Sequence, residues 1–557
     1  FIITTPGDTS NSPFQDAGEG ELVDTSTPTE ETTDDHVGIS TPINVHPDET
    51  SPEGKYNYLV VINSNVVDHS RRRLLREKIF GIKDNLVYCL EPTSNVQHRF
   101  LVRNDSSLKS FTKTTTTNTK SAARRYASEI MEFDDIDELP NVRGDKWIEE
   151  VLTRADQKRK EYNFDFLIYT DIFTVLNIPK IQQSIESLDI PGYKSSSGQL
   201  DKLFWGSFKT FSNRSTTIIG SSALNTILAQ LPRIKSMHET GSLFTKIYQY
   251  YKGAITNKNR VVAIDDDINI VDWRNTIYNI PEDVFAINSV YQNGEVKDIV
   301  DYLAIPPSPP CDLPATRQSE HPTISKPSVV VLTSSFVYTD LCMLAAAPIS
   351  ADNKRLYAKR HGYSFVARSM EFAQQGYLGR KTVWGKIDAV EKVLPLYDWL
   401  FWLDMDAVVI NFSTSIESLL KKFEKQLGKR EFEKKHLIVA KPVGDSTINA
   451  GVFLLRNSDW SKRFLREVQM FKSQYRGKFY EQAAMWKVMI KPEWQEGALL
   501  LDEDDHTFNT FPSRYMPGDF VVHYAPQGCP RKLVISACEQ AIEMDRNPDA
   551  LYETVPV

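Results

Sequence analysis

The residues with the clearest chemical potential lie in Trp399-Leu400-Phe401-Trp402-Leu403-Asp404-Met405-Asp406-Ala407-Val408-Val409-Ile410. An apolar strand runs straight into Asp-x-Asp, and apolar residues resume after it. Carboxylates at i and i+2 on a strand end reach one cation where the strand breaks. Buried beside apolar neighbours without a partner, they would be costly. A hard divalent ion such as Mn²⁺ or Mg²⁺ answers that cost, its other ligands being diphosphate oxygens. Two solvated aspartates in a turn are the plain alternative, and the apolar run ahead of them argues for the cation.

Other segments carry compatible groups. Ile448-Asn449-Ala450-Gly451-Val452-Phe453-Leu454-Leu455-Arg456-Asn457 reads as a strand entered through a polar turn. Tyr480-Glu481-Gln482-Ala483 sets an acid and an amide at a helix start, and Val521-Val522-His523-Tyr524 puts a lone histidine at the end of a short strand. Each has an ordinary reading as a turn, a helix cap or a satisfied histidine. In the first half, Asp265-Asp266-Asp267 precedes Ile268-Asn269-Ile270. If buried, that cluster must carry raised pKa values or bind a cation; if exposed, it is an acidic turn.

Taken in order, the later segments resemble glycosyltransferase family 34, which includes fungal α-galactosyl- and α-mannosyltransferases and xyloglucan xylosyltransferases. The resemblance spans about 328–535. It rests on Arg360–Tyr363, Trp384-Gly385-Lys386-Ile387, Trp402–Ala407, Asn449–Asn457 with Trp460-Ser461, Glu481–Ala484, and His523 with Gly528-Cys529. It implies a GT-A fold, a Mn²⁺-bound (or Mg²⁺-bound) sugar nucleotide and retention of anomeric configuration. It assigns Asp404, Asp406 and His523 to the metal, with Asp406 in most direct contact. Ser334, Ser335, Lys386, Gly451 and Gly528 go to the donor. Asn449 lies beside the donor sugar, Glu481 and Gln482 lie near the anomeric carbon, and Lys532 or Arg531 steadies the leaving diphosphate. Ala450 stands where the family usually has Thr. Residues 55–304 more weakly resemble family 31, the β1,3-galactosyltransferase-like enzymes. That resemblance rests on the helix ending Ile79-Phe80-Gly81, Phe166–Phe173, Ile219–Ala223 and Asp265–Ile268. The family's three-aspartate motif is reduced to Tyr169-Thr170-Asp171, and Asp266 or Asp267 matches its inverting base. The broken metal pair points to a degenerate, non-catalytic domain, with a second activity as the alternative.

These groups must be positioned by a chain of 557 residues, with 65 Lys+Arg, 73 Asp+Glu and a net charge of −8. The charge is uneven. Residues 1–54 carry −12 with no Lys or Arg, and 21 of them are Ser, Thr or Pro, so residues 55–557 carry +4. That acidic head reads as a disordered stem, too poor in apolar groups to offset the entropy of ordering it. Order starts with the strand at Tyr56–Asn63, followed by a helix over 71–81 and a strand at Val87–Leu90. A basic insertion, Asn104–Arg125, interrupts before a helix over 146–162 and a strand over 165–169. Prolines over 305–327 make a linker, after which Ser328–Ser335 opens a second α/β pattern. The expected fold class is α/β, with two tandem GT-A domains at 55–304 and 328–557.

No apolar run is long enough to span a bilayer. The stem, together with the absence of an initial Met, suggests a Golgi type II enzyme cut after its anchor. Sequons at Asn104, Asn213 and Asn411 fit a lumenal protein. Cys529 and Cys538 are one candidate pair and Cys311 and Cys342 another, with the connectivity left open. The composition argues against a nucleic-acid partner. The partners implied by the resemblance are a sugar nucleotide (UDP-galactose favoured, GDP-mannose the alternative) and a glycan acceptor, with a homo-oligomer or glycosylation complex left open. A glycan-binding scaffold is the non-enzymatic alternative.

Overall fold

The computed structural model describes residues 56–82, 94–104, 117–190, 200–208, 216–252, 261–276, 280–309, 327–442, 445–502, 504–525, 528–547 and 554–557. The acidic head and the expected strand at Val87–Leu90 lie outside these residues, as do Cys311 and most of the proline-rich stretch. Residues Glu53–Val557 form one compact unit.

The first half supplies strands β1 (Tyr58–Ser64), β2 (Val96–Asn104), β3 (Ile136–Pro140), β4 (Phe166–Asp171), β5 (Val175–Leu176), β6 (Leu203–Gly206), β7 (Thr217–Gly220), β8 (Val262–Asp265), β9 (Ile270–Asp272) and β10 (Ala286–Asn288). Seven of them make one sheet in the order β3-β2-β1-β4-β7-β6-β8, and β5-β10-β9 make a small second one. The second half supplies β11 (Val329–Ser334), β12 (Ser364–Arg368), β13 (Trp399–Leu403), β14 (Ala407–Val409), β15 (Leu437–Ala440), β16 (Val452–Arg456), β17 (Ala498–Leu501) and β18 (Val521–His523). These form a sheet in the order β12-β11-β13-β16-β15-β17 and a β14-β18 pair.

The two large sheets share one plan. In each, the first strand is flanked by parallel neighbours: β2 and β4 beside β1, β12 and β13 beside β11. An antiparallel strand follows, β7 or β16. A further antiparallel strand, β6 or β15, then carries a parallel edge partner, β8 or β17. The first sheet adds β3 at its far edge. Both α/β patterns expected from sequence are therefore present, inside a single body.

Strand side chains explain why these runs are apolar throughout. Val329 and Val331 of β11 pack into one core with Phe401 and Leu403, while Val330 and Leu332 pack into another with Leu400 and Trp402. In β1, Val60 and Ile62 face one core and Leu59 and Val61 the other. With both faces covered, alternation of polarity disappears and only alternation of direction remains. Helix Ala347–His361 links β11 to β12 and ends at Gly362, whose φ of 68° suits a residue without a Cβ.

The next described strand after β1 is Val96–Asn104, which pairs with it. One expectation is corrected here. The end of the supposed insertion is the start of helix Thr117–Glu132. Ala123, Tyr126, Ala127 and Met131 form its buried stripe, and Ala127 and Met131 join the second half's core. The Ser, Thr and Lys content hid that helical period.

The disulfide expectation is also corrected. Cys342 pairs with Cys529, with Cα atoms 5.8 Å apart. Cys538 is a free thiol, because helix Arg531–Arg546 turns it into the core with Val534, Ala537 and Ala541. Asn411 donates to the Gly518 carbonyl at 3.2 Å and accepts from the Ser413 amide at 3.0 Å. Asn213 and the Asn104 side chain lie outside the described residues.

Candidate active site

The Asp-x-Asp segment sits where the chain leaves β13, turns, and enters β14. Helix Ala347–His361 fixes that turn from below. Ser350 Oγ donates to the Met405 carbonyl at 2.5 Å, and Lys354 Nζ donates to the Ala407 carbonyl at 2.7 Å. Asn353 makes a reciprocal pair with Val409, at 2.9 and 3.0 Å. Three residues on one helix face thus hold alternate backbone positions. Lys354 is fully buried, and burial pushes its pKa down to about 8, against the nearby Cys538, Asp406 and Asp404.

Above the turn, Asp404, Asp406 and His523 bring one ligand atom each within 4.8 Å of one another. His523 arrives because β18 pairs antiparallel with β14, opposite Ala407. Its Nε2 lies 3.2 Å from Asp406 Oδ1. Its Nδ1 lies 2.6 Å from Asn509 Oδ1, an oxygen that can only accept. That bond keeps a proton on Nδ1, so Nε2, beside the carboxylates, is the nitrogen that can coordinate a cation once its own proton leaves. Gly451 makes room for the ring: a Cβ there would lie 2.1 Å from His523 Cε1. Asp406 is held below the usual carboxylate range, since His523 outweighs the opposing effect of burial. Two hard oxygen donors and a borderline imidazole, with a glycine opening beside them, fit Mn²⁺ or Mg²⁺.

Lys386 joins three segments. Its Nζ lies 2.9 Å from Asp404 Oδ1, 3.2 Å from Glu481 Oε1 and 3.0 Å from the Ala450 carbonyl. Burial alone would lower its pKa, but the two carboxylates hold it above the usual lysine range. Glu481 is pushed up, first by burial and also by Asp404, against the pull of Lys386. Trp402 Nε1 donates to Asp404 Oδ1 at 2.7 Å. Gln482 Oε1 accepts from the Ala450 amide at 3.1 Å, and Asn449 Oδ1 accepts from the Gly451 amide at 2.9 Å. Asp404, Asp406, His523, Lys386, Asn449, Gly451, Glu481 and Gln482 therefore belong to one connected site.

The remaining assigned residues are placed differently. Ser334 Oγ accepts from the Phe336 amide at 3.1 Å at the end of β11. Ser335 donates its hydroxyl to Glu132 of the first half at 2.7 Å, so it is engaged away from the donor. Gly528 and Lys532 are exposed, as is Arg531, and among the described residues none of them bonds to the site. Residues missed from sequence are Lys354, Asn509 and Tyr338, a 40% exposed side chain whose phenol is held high by partial desolvation, Asp404 and Glu481. Ser350 and Lys354, four apart on a small-residue helix, were a legible signal. Asn509, in the left-handed region at φ 69°, carried none.

The first half has the same location but other contents. Its β4 ends at Asp171, and Thr174 faces Asn288 as Ala407 faces His523, continuing the antiparallel pairing of Val175 with Ile287. The spacing then sets Asp171 at the place of Asp404, Phe173 at that of Asp406 and Asn288 at that of His523. Asp171 Oδ1 accepts from the Phe173 amide at 2.8 Å and from Thr174 Oγ1 at 3.1 Å. Thr216 donates to Asn288 Oδ1 at 3.2 Å, and the single Thr174 hydroxyl proton is shared between Asp171 and Asn288 Oδ1, the latter also at 3.1 Å. The Phe173 ring packs on Tyr291 at 5.1 Å.

Asp266 is buried, and hydrogen bonds rather than a cation offset the cost. It accepts from Trp205 Nε1, the Ile268 amide, and the Asn269 amide and side chain, at 3.0–3.2 Å. Asp267 accepts from Ser207 Oγ at 2.9 Å and Asp265 from the Phe208 amide at 2.8 Å. Among the described residues, the second half's trio is the only group arranged to hold a metal.

Comparison with known proteins agrees with this division. Residues 325–532 match the galactosyl transferase GMA12/MNN10 family. A probable α-1,6-mannosyltransferase MNN10 of Saccharomyces cerevisiae is 28% identical over 138 residues, covering 21% of this chain and 35% of that protein. An uncharacterized α-1,2-galactosyltransferase of Schizosaccharomyces pombe is 28% identical over 224 residues, covering 34% of this chain and 57% of that protein. The chain thus spans about a third to somewhat over half the length of these relatives. A galactosyltransferase LgtC, solved with donor and acceptor sugar analogues, is similar at 15% identity over 39% of this chain and 95% of that one, with a TM-score of 0.24. The family match begins at residue 325, so it lends no support to the family 31 resemblance of the first half. The likeness to the galactosyl transferase GMA12/MNN10 family thus covers residues 325–532 of this chain.

Proposed function

We propose that the second half is a metal-dependent, retaining glycosyltransferase that moves a hexose, galactose from UDP-galactose by preference, to a glycan acceptor. The observation that carries this reading is the convergence on one point of Asp404, Asp406 and His523, whose other ring nitrogen is engaged by Asn509. Galactose is preferred because relatives named as α-1,2-galactosyltransferases align over 224 and 223 residues, against 138 for the mannosyltransferase. A GT-A reading of both sheets, and a lumenal compartment, belong to the same proposal. The Cys342–Cys529 bridge favours an oxidising environment, and no described helix is long and apolar enough to cross a membrane.

Asp404, Asp406 and His523 would hold the cation. When bound, it neutralises charge developing on the leaving nucleoside diphosphate. Lys386 keeps Asp404 and Glu481 fixed and charge-compensated. The Asn449–Gly451 turn, tied to Gln482, shapes the wall where the donor sugar lies. Arg531 or Lys532 would steady the departing diphosphate from the start of the last helix. The ion pair with Lys386 makes Glu481 a poor nucleophile. Same-face attack by the acceptor hydroxyl, with a diphosphate oxygen taking its proton, is therefore favoured over double displacement.

A panel of sugar nucleotides assayed for Mn²⁺-dependent hydrolysis and transfer tests this reading. UDP-galactose should be consumed by the wild type and not by Asp406→Asn. Equal turnover by that variant would remove the metal-site assignment, and preference for GDP-mannose would replace the donor.

A further inference from the structure

A cavity of about 660 Å³ lies between the two halves. Helices His69–Lys78 and Thr117–Glu132 of the first half form one wall, while Phe336, Val337 and the segment Arg368–Gln374 of the second form the other. Its lining is strongly basic. Arg73 and Arg124 reach it with no carboxylate partner among the described residues, and Arg125 bonds only to Ser121 Oγ, at 3.0 Å. On the opposite wall, Arg368 and Lys392 both pair with Glu371. The one acid lining the cavity, Glu132, is pushed up by burial against hydroxyl bonds from Ser335 and Ser369.

An uncompensated cluster of arginines at the mouth of a cavity repels itself unless an anion is accommodated. Guanidinium forks match phosphate oxygens bidentately. Phe133, Phe336, Val337 and Met370 supply apolar lining, which excludes water and strengthens those contacts. The volume is that of a small-ligand site rather than a macromolecular groove. Phe336 connects this cavity to the candidate active site: its ring lies 5.5 Å from that of Tyr338, the phenol influenced by Asp404 and Glu481.

We infer that this cavity binds a phosphorylated sugar, with arginines of the first half gripping the phosphate beside the second half's active site. Binding does not require the transfer reading, although a phosphate-bearing acceptor glycan is its natural source there.

Titration calorimetry without Mn²⁺ tests it, using galactose 6-phosphate, inorganic phosphate, galactose and UDP as probes. Galactose 6-phosphate should bind, more tightly than inorganic phosphate, with galactose silent and affinity falling as salt rises. Arg73→Glu/Arg124→Glu should weaken it at least tenfold, and Lys392→Met from the other wall should weaken it less. Thermal melting checks that both variants fold. Asp406→Asn should bind it as the wild type does, so failure of the transfer reading and failure of this one are separable. Undiminished binding in both wall variants, or no binding at all, would overturn the inference. So would equal affinity for inorganic phosphate. Displacement by UDP with Mn²⁺ would place the anion in the donor site and overturn it as well.

Discussion

The two halves share one sheet plan and differ at one place. Where the second half sets Asp404, Asp406 and His523, the first sets Asp171, Phe173 and Asn288. The second trio leaves negative charge and a ring nitrogen facing a common point. The first closes on itself: Asp171 caps its own turn, two threonines satisfy Asn288, and Phe173 packs against Tyr291. A site that is left incomplete needs a cation, whereas one whose donors and acceptors are matched internally needs nothing. Under the proposed function, the same scaffold carries chemistry in one half and structure in the other.

The largest expected effect tests that contrast directly. Asp406→Asn should reduce Mn²⁺-dependent UDP-galactose turnover by about a thousandfold or more, the scale of losing a central electrostatic contact. Asp171→Asn and Asp266→Asn should leave turnover within about twofold, since these carboxylates act on local backbone groups. A large loss in the Asp171 variant would break the comparison and restore the two-activity alternative.

The next effect is on stability and lies in the first half. Glu129 is buried between Arg72 at 2.6 Å and Arg76 at 2.5 Å, and Arg76 also holds Asp135 at 2.7 Å. Glu129→Gln leaves buried guanidinium charge uncompensated and should destabilise the fold by about 3–5 kcal/mol. Glu129 and Asp135 are both held below their usual range, burial opposing and the arginines prevailing. A carboxylate with a depressed folded pKa contributes stability that is complete above its unfolded value. That contribution fades as pH falls through the folded one. Unfolding followed by denaturant from pH 7 to pH 3 should therefore show stability falling below about pH 5, and a shallower fall in the variant.

How much of this was legible depends on where the information sits. Asp404 and Asp406 stood out because two charges interrupt an apolar strand. His523 stood out through its place at the end of a short strand and through family likeness. Asn509 was invisible: it acts through a backbone twist and one hydrogen bond to a ring more than ten residues along the chain. The Cys342–Cys529 pairing was equally hidden, since it joins a loop after β11 to the start of the last helix. Asp265–Asp267 looked like chemistry because sequence shows charges and not the Trp205, Asn269 and backbone donors that fold around them.

A smaller effect concerns Gly451. Its conformation is ordinary, and its need for glycine comes from the imidazole packed against it. Gly451→Ala forces the ring aside and should weaken Mn²⁺ binding by about a hundredfold, the upper range for lost ligand orientation. Calorimetry with Mn²⁺ and UDP reads this directly. Unchanged affinity would mean that the ring is not held as a ligand.

The smallest effect isolates what makes His523 a ligand while Asn288 is not. Asn509 accepts from His523 Nδ1 at 2.6 Å and donates to the Asn449 carbonyl at 2.9 Å, so it fixes the tautomer and ties the ring to the donor-side turn. Asn509→Ala keeps every ligand but frees the proton to move to Nε2, where it would block coordination. Mn²⁺ affinity should fall about tenfold, the lower range for such supporting bonds. Asn509→Asp, which keeps the accepting oxygen, should recover most of the loss. A merely structural role would predict the reverse, because the aspartate cannot donate to Asn449 and adds a buried charge. The order of the two variants in metal affinity therefore distinguishes tautomer control from packing.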